Sequence, residues 1–449
     1  MRELFGTDGM RGVAGEYPLD ARTTYAVGVA LALWVKQQRS SLGIASGPEI
    51  VIGMDTRESG PSIAESVAAG LASEGVAARF AGLITTPGIA HVTRVGPFAA
   101  GVMISASHNP YRDNGIKIID HSGFKLPDEQ EHLLERDIFA FLESGASPSW
   151  KPLMVDEGLD REYIEHLAAT LPGGLKGLRL VVDAAHGAAS FLAPALFERL
   201  GAVVDRIGCA PDGRNINLGC GSLHLEGLRA RVLETGAGAG VAFDGDADRA
   251  LFISRSGKII DGDAVLLIAA LPLHAQGRLT EVVATVMSNL GLERALGCHG
   301  IALVRTPVGD KYVLQEMLRR GAPLGGEQSG HIIFRDYATT GDGLLTALRV
   351  FEASERSGQD LDALTAELKI YPQLLVNVRL KTKRPLEELD AANRAIHEAQ
   401  AEFGDAGRVV VRFSGTEPLA RVMVEGPEMQ RVEHFAHSIA DAIRAELGE

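Results

Sequence analysis

One succession of strand, polar turn, helix, glycine and strand recurs along the first three quarters of this chain. The predicted strand, helix and strand fall at residues 49–54, 61–74 and 76–82, then at 178–183, 189–200 and 203–207, and then at 281–288, 290–296 and 301–306. A helix that joins two strands in this way is typical of βαβ units on a mainly parallel sheet. The sequence therefore predicts three α/β domains of related design.

The last part of the chain follows a different pattern. Its predicted strand, helix, two strands and helix fall at residues 373–380, 385–403, 408–413, 421–425 and 428–447. This succession predicts a smaller α+β domain. At 449 residues the chain is also too long for a single hydrophobic core, so four domains fit its length.

The composition of the chain disfavours nucleic acid and anionic membranes as binding partners. Apolar residues make up 46% and charged residues 23% of the chain, which is typical of a folded protein. The formal net charge is -14 and aromatic residues make up only 5%, so nucleic acid and anionic membranes are disfavoured as partners. An anionic substrate would therefore need a local cluster of cationic side chains.

The cysteine pattern indicates a reducing compartment, and the apolar runs indicate neither a signal peptide nor a membrane span. The three cysteines form no C-x-x-C pair, which disfavours both a disulfide framework and a zinc site. The first residues lack the apolar core of a signal peptide. The longest apolar run, residues 264–275, is interrupted by Pro272 and is too short to span a bilayer. We expect a cytoplasmic protein.

The first of four glycine-rich segments is Gly101-Val-Met-Ile-Ser-Ala-Ser-His-Asn-Pro110. Ser105 and Ser107 follow a predicted strand, and an isolated segment of this kind often only caps a turn. Neighbouring side chains on an extended segment diverge, so His108 is expected to be a poor base for Ser107. Lys117 follows closely enough to lie over the same site.

The second segment places Asp244, Asp246 and Asp248 directly after a strand. Three carboxylates this close repel one another unless a cation lies between them. An EF-hand would need glycine at 249 and a carboxylate at 255, where the chain has Arg249 and Arg255. A hard divalent ion that also takes a phosphate oxygen fits better, so the segment predicts a Mg²⁺ site.

A strand that leads into D-x-D also resembles phosphatases whose first aspartate is the nucleophile. Those enzymes have threonine or valine two places after the second aspartate, where this chain has Asp248. The third carboxylate favours a metal site over an aspartyl phosphate.

The third and fourth segments suit a sugar and a phosphate. In Gly325-Gly-Glu-Gln-Ser-Gly-His331, Glu327 and Ser329 could bind sugar hydroxyls and His331 could move a proton. In Arg412-Phe-Ser-Gly-Thr-Glu-Pro-Leu-Ala-Arg421, hydroxyls and backbone N–H groups lie between two arginines, a pattern that suits phosphate. Taken alone, either segment could be an ordinary glycine-rich turn.

Together with Phe5-Gly-Thr-Asp-Gly-Met-Arg-Gly12, these segments resemble the α-D-phosphohexomutase superfamily, and most closely its bacterial phosphoglucosamine mutase family. The resemblance covers the whole chain, in order. It implies four domains around a central cleft, three related α/β domains with mainly parallel sheets and a smaller C-terminal α+β domain. The domains that carry the phosphoserine, metal, sugar and phosphate loops are expected at residues 1–154, 155–254, 255–370 and 371–449.

The resemblance also implies roles for individual residues. Ser107, not Ser105, would be the phosphoserine, and one Mg²⁺ would bind Asp244, Asp246, Asp248 and an oxygen of the phosphate on Ser107. The residues around the transferring group would be Arg11, Lys117 and Arg249, with Lys117 and His331 moving protons. The residues expected to bind the sugar and the phosphate that does not react are Glu327, Ser329, Arg412, Ser414, Gly415, Thr416 and Arg421.

The implied activity interconverts glucosamine 6-phosphate and glucosamine 1-phosphate through a 1,6-bisphosphate that turns over in the cleft. Three alternatives stay open: a phosphomannomutase/phosphoglucomutase of the same superfamily, a Mg²⁺-dependent sugar phosphatase with Asp244 as nucleophile, and a non-catalytic sensor of sugar phosphate. The expected partner is a small sugar phosphate. The sequence does not decide between a monomer and a homodimer.

Overall fold

The structure, a computed structural model, describes residues 4–6, 8–42, 48–144, 153–156, 158–382, 384–413 and 418–448. In these ranges the chain forms four sheets, in sequence order of six, five, four and three strands. No helix in the described ranges is long and apolar enough to cross a membrane.

The first sheet has the strand order β1-β2-β6-β5-β3-β4. Its strands are β1 (Phe5–Gly6), β2 (Gly9–Val13), β3 (Glu49–Met54), β4 (Ala77–Leu83), β5 (Phe98–Ile104) and β6 (Asp113–Asp120). The helices of this part are α1 (Ala21–Leu42), α2 (Gly60–Ser73), α3 (Thr86–Val95) and α4 (Asp128–Glu143). Strands β4, β3 and β5 are parallel, and β6 returns antiparallel beside β5.

The second sheet has the order β11-β10-β9-β7-β8. Its elements are α5 (Leu159–Ala169), β7 (Arg179–Asp183), α6 (Ala189–Arg199), β8 (Val203–Ile207), α7 (Glu226–Thr235), β9 (Ala239–Phe243), β10 (Ala250–Ser254) and β11 (Ile259–Ile260). Strands β8, β7 and β9 are parallel, and β10 returns antiparallel beside β9.

The third sheet has the order β13-β12-β14-β15. Its elements are α8 (Gly262–Ala275), β12 (Glu281–Thr285), α9 (Leu290–Cys298), β13 (Ala302–Thr306), α10 (Asp310–Arg320), β14 (Leu324–Gly326), β15 (Ile332–Phe334), α11 (Gly343–Ser357) and α12 (Leu361–Leu364). Strands β13, β12 and β14 are parallel, and β15 returns antiparallel beside β14.

These three sheets repeat one topology, which confirms three related α/β domains. In each, three parallel strands are followed by a strand that turns back beside the third. The expectation of mainly parallel sheets applies to those three strands only, because the flanking strands make the sheets mixed. Short hairpin turns are possible only between antiparallel strands. The topology therefore places one tight loop at the same edge of each sheet.

The fourth domain is the predicted smaller α+β unit. Its elements are β16 (Gln373–Arg379), α13 (Asp390–Phe403), β17 (Arg408–Phe413), β18 (Leu419–Glu425) and α14 (Met429–Leu447), with strand order β16-β18-β17. The helix predicted from residue 385 begins later, because Leu386–Glu388 form a 3-10 turn first. The strand predicted from residue 421 begins two residues earlier, at Leu419.

The apolar core follows from the sequence patterns. Strands β5 and β9 are buried along their whole length, as expected for strands covered on both faces. One cluster of buried side chains runs from the first domain through the second and third, while the fourth domain has its own core. The first three domains thus pack against one another, and their hairpin loops can meet.

Candidate functional site

Three hairpin loops in corresponding places carry three of the four glycine-rich segments. They connect β5 to β6, β9 to β10 and β14 to β15, and hold Ser107, the aspartate trio and Glu327 to His331, respectively. The repeated topology therefore brings together segments that are more than 70 residues apart in sequence.

Ser107 is buried and adopts a left-handed backbone conformation, with φ of 51°. Its Oγ donates to Asp244 Oδ2 at 2.6 Å, and its N–H donates to Ser105 Oγ at 2.9 Å. The expected divergence of Ser107 and His108 is wrong, because the left-handed turn places Ser107 Oγ 3.3 Å from His108 Nδ1. Burial and the charges of Arg249 and Arg11 lower the pKa of His108 to about 4.

Arg57, a fully buried arginine, holds the Ser107 loop. Its guanidinium donates to the carbonyls of Ser107 and Asn109 at 2.9 Å and pairs with Asp55 at 2.9 Å. Asn217, from the second domain, donates to the same two carbonyls at 2.9 and 3.1 Å. Unusual backbone conformations persist only where surrounding contacts hold them, and these two side chains supply such contacts from two domains.

Asp244, Asp246 and Asp248 are buried, and one oxygen of each lies within 4.8 Å of the others. Burial and the charges of Asp248 and Asp246 raise the pKa of Asp244 well above its usual value. One oxygen each of Asp246 and Asp248 is buried without a hydrogen-bond partner among the described residues. Buried carboxylate oxygens without donors need a cation, and an all-oxygen set suits Mg²⁺. The trio therefore fits the predicted metal.

The other oxygen of Asp246 is held by two side chains of the first domain. Lys117 Nζ lies 2.8 Å from it, and Thr86 Oγ1 donates to it at 2.5 Å. Burial alone would raise the pKa of Asp246, but Lys117 and Thr86 lower it below the usual value. Burial alone would lower the pKa of Lys117, but Asp246, Asp8 and Asp248 raise it.

The structure also brings the two predicted arginines to this cluster. Arg249 Nε lies 4.0 Å from Asp244 and 3.9 Å from Asp248. Arg11 pairs with Asp8, a residue of the opening motif to which the sequence analysis gave no role. The cluster is therefore rich in both signs of charge, as transfer of a charged group requires.

Sequence reasoning missed a second set of charged residues beside the site. Lys125 contacts Asp8 and also Asp310, whose Oδ2 lies 2.6 Å from its Nζ. Asp310 Oδ2 lies 3.7 Å from His331 Nε2, which is 3.9 Å from Asp248. No sequence signal pointed to Lys125 or Asp310, because neither lies in a glycine-rich segment.

The third hairpin approaches the aspartate trio through His331, whose Nε2 lies 3.9 Å from Asp248. Glu327 Oε1 accepts from the N–H of Gly309 at 3.1 Å, and Ser329 is exposed. The ring of His331 is buried against Gly341, where an added Cβ would lie 2.5 Å from the ring. Both ring nitrogens of His331 lack hydrogen-bond partners among the described residues.

The fourth segment lies only partly within the described residues. Arg412 and Arg421 are directly opposite each other on β17 and β18. Burial and the charge of Arg421 lower the pKa of Arg412. Like charges in opposed positions destabilise a sheet, so the pair suits an anion. The predicted phosphate-binding residues Ser414, Gly415 and Thr416 lie outside the described residues.

Two segments of the second domain, residues 185–187 and 220–222, have no role assigned from the sequence. Both support the loop that carries the aspartate trio. Asp183 accepts from the N–H groups of Ala185 and Gly221 at 2.9 and 2.8 Å. At Gly187 an added Cβ would lie 2.3 Å from the carbonyl oxygen of Gly245, so the two loops touch through their backbones. These segments fix the loop that carries the aspartate trio.

Comparison with known sequences gives the same division of the chain. Phosphoglucomutase/phosphomannomutase alpha/beta/alpha domains I, II and III match residues 2–143, 161–257 and 261–371, and the C-terminal domain of that family matches residues 375–442. Phosphoglucosamine mutase from Solibacter usitatus is 59% identical over 450 residues, covering 100% of both chains. The protein of that name from Koribacter versatilis is 48% identical over 461 residues, covering 100% of this chain and 98% of its own.

Solved structures share the fold. A phosphoglucomutase/phosphomannomutase family protein from Burkholderia thailandensis has a TM-score of 0.80 at 25% identity, covering 98% of this chain and 97% of its own. N-acetylphosphoglucosamine mutase from Aspergillus fumigatus, solved with GlcNAc-6P and magnesium, has a TM-score of 0.66 at 19% identity over 99% of this chain and 96% of its own. Four matched domains and full-length relatives at 59% and 48% identity place this chain in the phosphoglucomutase/phosphomannomutase family, and within it among the phosphoglucosamine mutases.

Proposed function

We propose that this chain interconverts glucosamine 6-phosphate and glucosamine 1-phosphate, with Ser107 as the phosphoryl carrier and a 1,6-bisphosphate as intermediate. The observation that carries the proposal is the 2.6 Å contact between Ser107 Oγ and Asp244, inside a buried trio of aspartates. A serine used only to cap a turn would not need three buried carboxylates beside it.

Asp244, Asp246 and Asp248 would hold Mg²⁺ together with an oxygen of the phosphate on Ser107. When bound, the ion supplies positive charge that stabilises the phosphoryl group during transfer. Arg249 and Arg11 add fixed positive charge on the exposed sides of the cluster, where their side chains are 23% and 28% exposed.

Each half-reaction breaks one phosphorus–oxygen bond and makes another. As the phosphoryl leaves Ser107, Lys117 gives a proton to the serine oxygen. His331 accepts the proton of the attacking sugar hydroxyl, because its ring nitrogens have no competing hydrogen bond among the described residues. The second half-reaction reverses these roles at the other hydroxyl, which returns a phosphoryl to Ser107.

The sugar would lie between the first and third hairpins. Glu327 and Ser329 would bind its hydroxyls, while Arg412, Ser414, Gly415, Thr416 and Arg421 would hold the phosphate that does not react. A clamp that recognises only phosphate accepts either end of the bisphosphate, which suits an intermediate that turns over in the cleft.

Three further expectations belong to the same proposal. We place the domain boundaries at residues 1–154, 155–254, 255–370 and 371–449, and the protein in the cytoplasm. Its partner is a small sugar phosphate.

Intact-mass measurement and initial rates together test the function. We expect about one phosphate per chain, absent from Ser107→Ala and retained in Ser105→Ala, which serves as the matched serine control. Rates on glucosamine, glucose and mannose phosphates should be highest for glucosamine. Higher rates on mannose or glucose phosphates would instead assign the phosphomannomutase/phosphoglucomutase activity.

The remaining alternatives give different results. Phosphate release without isomer formation would assign a phosphatase, and binding without either reaction would assign a sensor. Asp246→Ala should abolish turnover while circular dichroism and gel filtration stay unchanged. Full activity of that folded variant in added Mg²⁺ would contradict the metal site.

A further inference from the structure

Lys125 lies at the centre of a row of charged side chains between the first and third domains. It follows β6, and its ammonium contacts Asp8 on one side and Asp310 on the other. Asp8 belongs to the turn before β2, and Asp310 is the first residue of α10. One ammonium group therefore joins carboxylates from two domains.

Each of these carboxylates also contacts a residue expected to move protons. Asp8 Oδ2 lies 3.3 Å from Lys117 Nζ, and Asp310 Oδ2 lies 3.7 Å from His331 Nε2. The row thus runs Lys117, Asp8, Lys125, Asp310, His331, and both of its ends lie next to the aspartate trio.

Packing alone does not fix the position of Lys125. A cavity of about 510 Å³ between the two domains borders its side chain, along with Lys117 and Asp310. A long side chain beside open space keeps one position only if its charged end is held. The two carboxylates hold the ammonium, and the ammonium in turn holds the carboxylates apart and in place.

We propose that Lys125 is a positioning residue for the mutase reaction: through Asp8 it orients Lys117, and through Asp310 it orients His331. The inference rests on the proposed function. Without the ammonium of Lys125, Asp8 is free to draw Lys117, whose Nζ is 3.3 Å away, closer, and Asp310 loses the ammonium that lies 2.6 Å from its Oδ2. Small displacements of proton-transfer groups slow the chemical step far more than they weaken substrate binding.

A second ion pair across the same two domains provides a matched control. Lys311 Nζ lies 3.1 Å from Asp128, whose side chain is 57% exposed. Surface pairs of this kind contribute little to stability. Lys311→Met removes an interdomain lysine without disturbing the row described above, so it should leave kcat and KM unchanged.

The experiment compares Lys125→Met, Lys125→Arg and Lys311→Met in steady-state kinetics with glucosamine 6-phosphate and saturating Mg²⁺. We expect Lys125→Met to lower kcat by about 10- to 100-fold with KM changed less than twofold. Lys125→Arg keeps the charge, and the neighbouring cavity has room for it, so it should recover most of kcat. Unchanged kcat in Lys125→Met would overturn the proposal, as would an effect confined to KM.

A double-mutant cycle that combines Lys125→Met with Asp310→Asn tests the same link, and Lys125→Gln takes the place of Lys125→Met if that variant folds poorly. If Lys125 acts through Asp310, the double variant should be no slower than the slower single variant. Fully additive losses would contradict the link.

Wild-type protein that does not isomerise glucosamine phosphates would overturn the proposed function, whereas active wild type with an unaffected Lys125→Met would overturn only the positioning role.

Discussion

The hydroxyl of Thr86, a residue outside the motifs, contacts one of the proposed metal ligands. Thr86 begins α3, and its Oγ1 donates to Asp246 Oδ2 at 2.5 Å. Thr86→Val keeps the shape of the side chain but removes this donor. Because hydrogen bonds to metal ligands typically contribute 10- to 100-fold in metal affinity, we expect the Mg²⁺ concentration for half-maximal activity to rise by about 10-fold or more.

Thr93→Val is the matched control for that prediction. Thr93 lies on the same helix, and its Oγ1 bonds only to the carbonyl of Ile89 among the described contacts, at 2.7 Å. Titrating activity with Mg²⁺ should leave this variant at the wild-type midpoint. An equal shift in both variants would mean that the change acts through helix stability and not through Asp246.

Single residues were predictable where the chemistry is local in sequence. Asp244, Asp246 and Asp248 lie on one loop, so their spacing alone indicates a cation. Lys125 and Asp310 are 185 residues apart, and no local pattern marks them as partners. The contact between Ser107 and His108 was missed for another reason, since an extended backbone was assumed where the serine is left-handed.

At the scale of elements, the contact between α3 and α5 should make the structure sensitive to acid. His91 on α3 stacks on His166 of α5 with 4.0 Å between ring centroids. Burial, followed by the charges of His166 and Arg94, lowers the pKa of His91 to about 3. A lowered folded-state pKa contributes stability above the unfolded value of about 6.5, and this stability is lost as the pH falls towards 3.

We therefore expect the wild type to lose about 1 kcal/mol more stability than His91→Gln between pH 7 and pH 5, allowing for the partial exposure of the ring. Urea unfolding at both pH values measures the difference. His397→Gln replaces an exposed histidine and should follow the wild type. Parallel curves for wild type and His91→Gln would contradict the assignment.

Element type was more predictable from sequence than element ends. The strands at Val203–Ile207 and Arg408–Phe413 have the predicted bounds, because alternating or continuous apolar runs mark them clearly. The helix predicted at 385–403 starts at Asp390 instead. Pro385 suits either a helix start or a turn, and local preference alone does not separate the two.

At the scale of the whole molecule, the fourth domain carries the arginine pair of the proposed phosphate clamp. Arg421→Met should raise KM for glucosamine 6-phosphate by about 10-fold or more with a smaller effect on kcat, because the proposed clamp would bind the phosphate that does not react.

Arg379→Met, on the exposed part of β16, is the control for that prediction. Steady-state kinetics should give this variant the KM of the wild type. A loss of kcat with unchanged KM in Arg421→Met would place the arginine at the reacting phosphate instead of the distant one.

The order and class of the four domains were readable from the sequence, but their mutual placement was not. Repeated strand–helix–strand patterns and four glycine-rich segments define the parts. Contacts between domains rest on side chains such as Asn217, which reaches the Ser107 loop from the second domain, and Thr86, which donates from the first domain to Asp246. Such contacts depend on the folded arrangement and leave no periodic trace in the chain.

Each of the three α/β domains has a hairpin in the same place, and each hairpin has a different proposed role in the reaction. In the proposed function the carrier, the cation and the sugar each belong to a separate turn, and each turn lies on a different sheet. A lineage can therefore change the sugar it accepts by remodelling residues 327–330 of the third turn, while His331 and the rest of the phosphoryl-transfer chemistry stay intact. Grafting that turn between relatives should transfer substrate preference without rebuilding the enzyme.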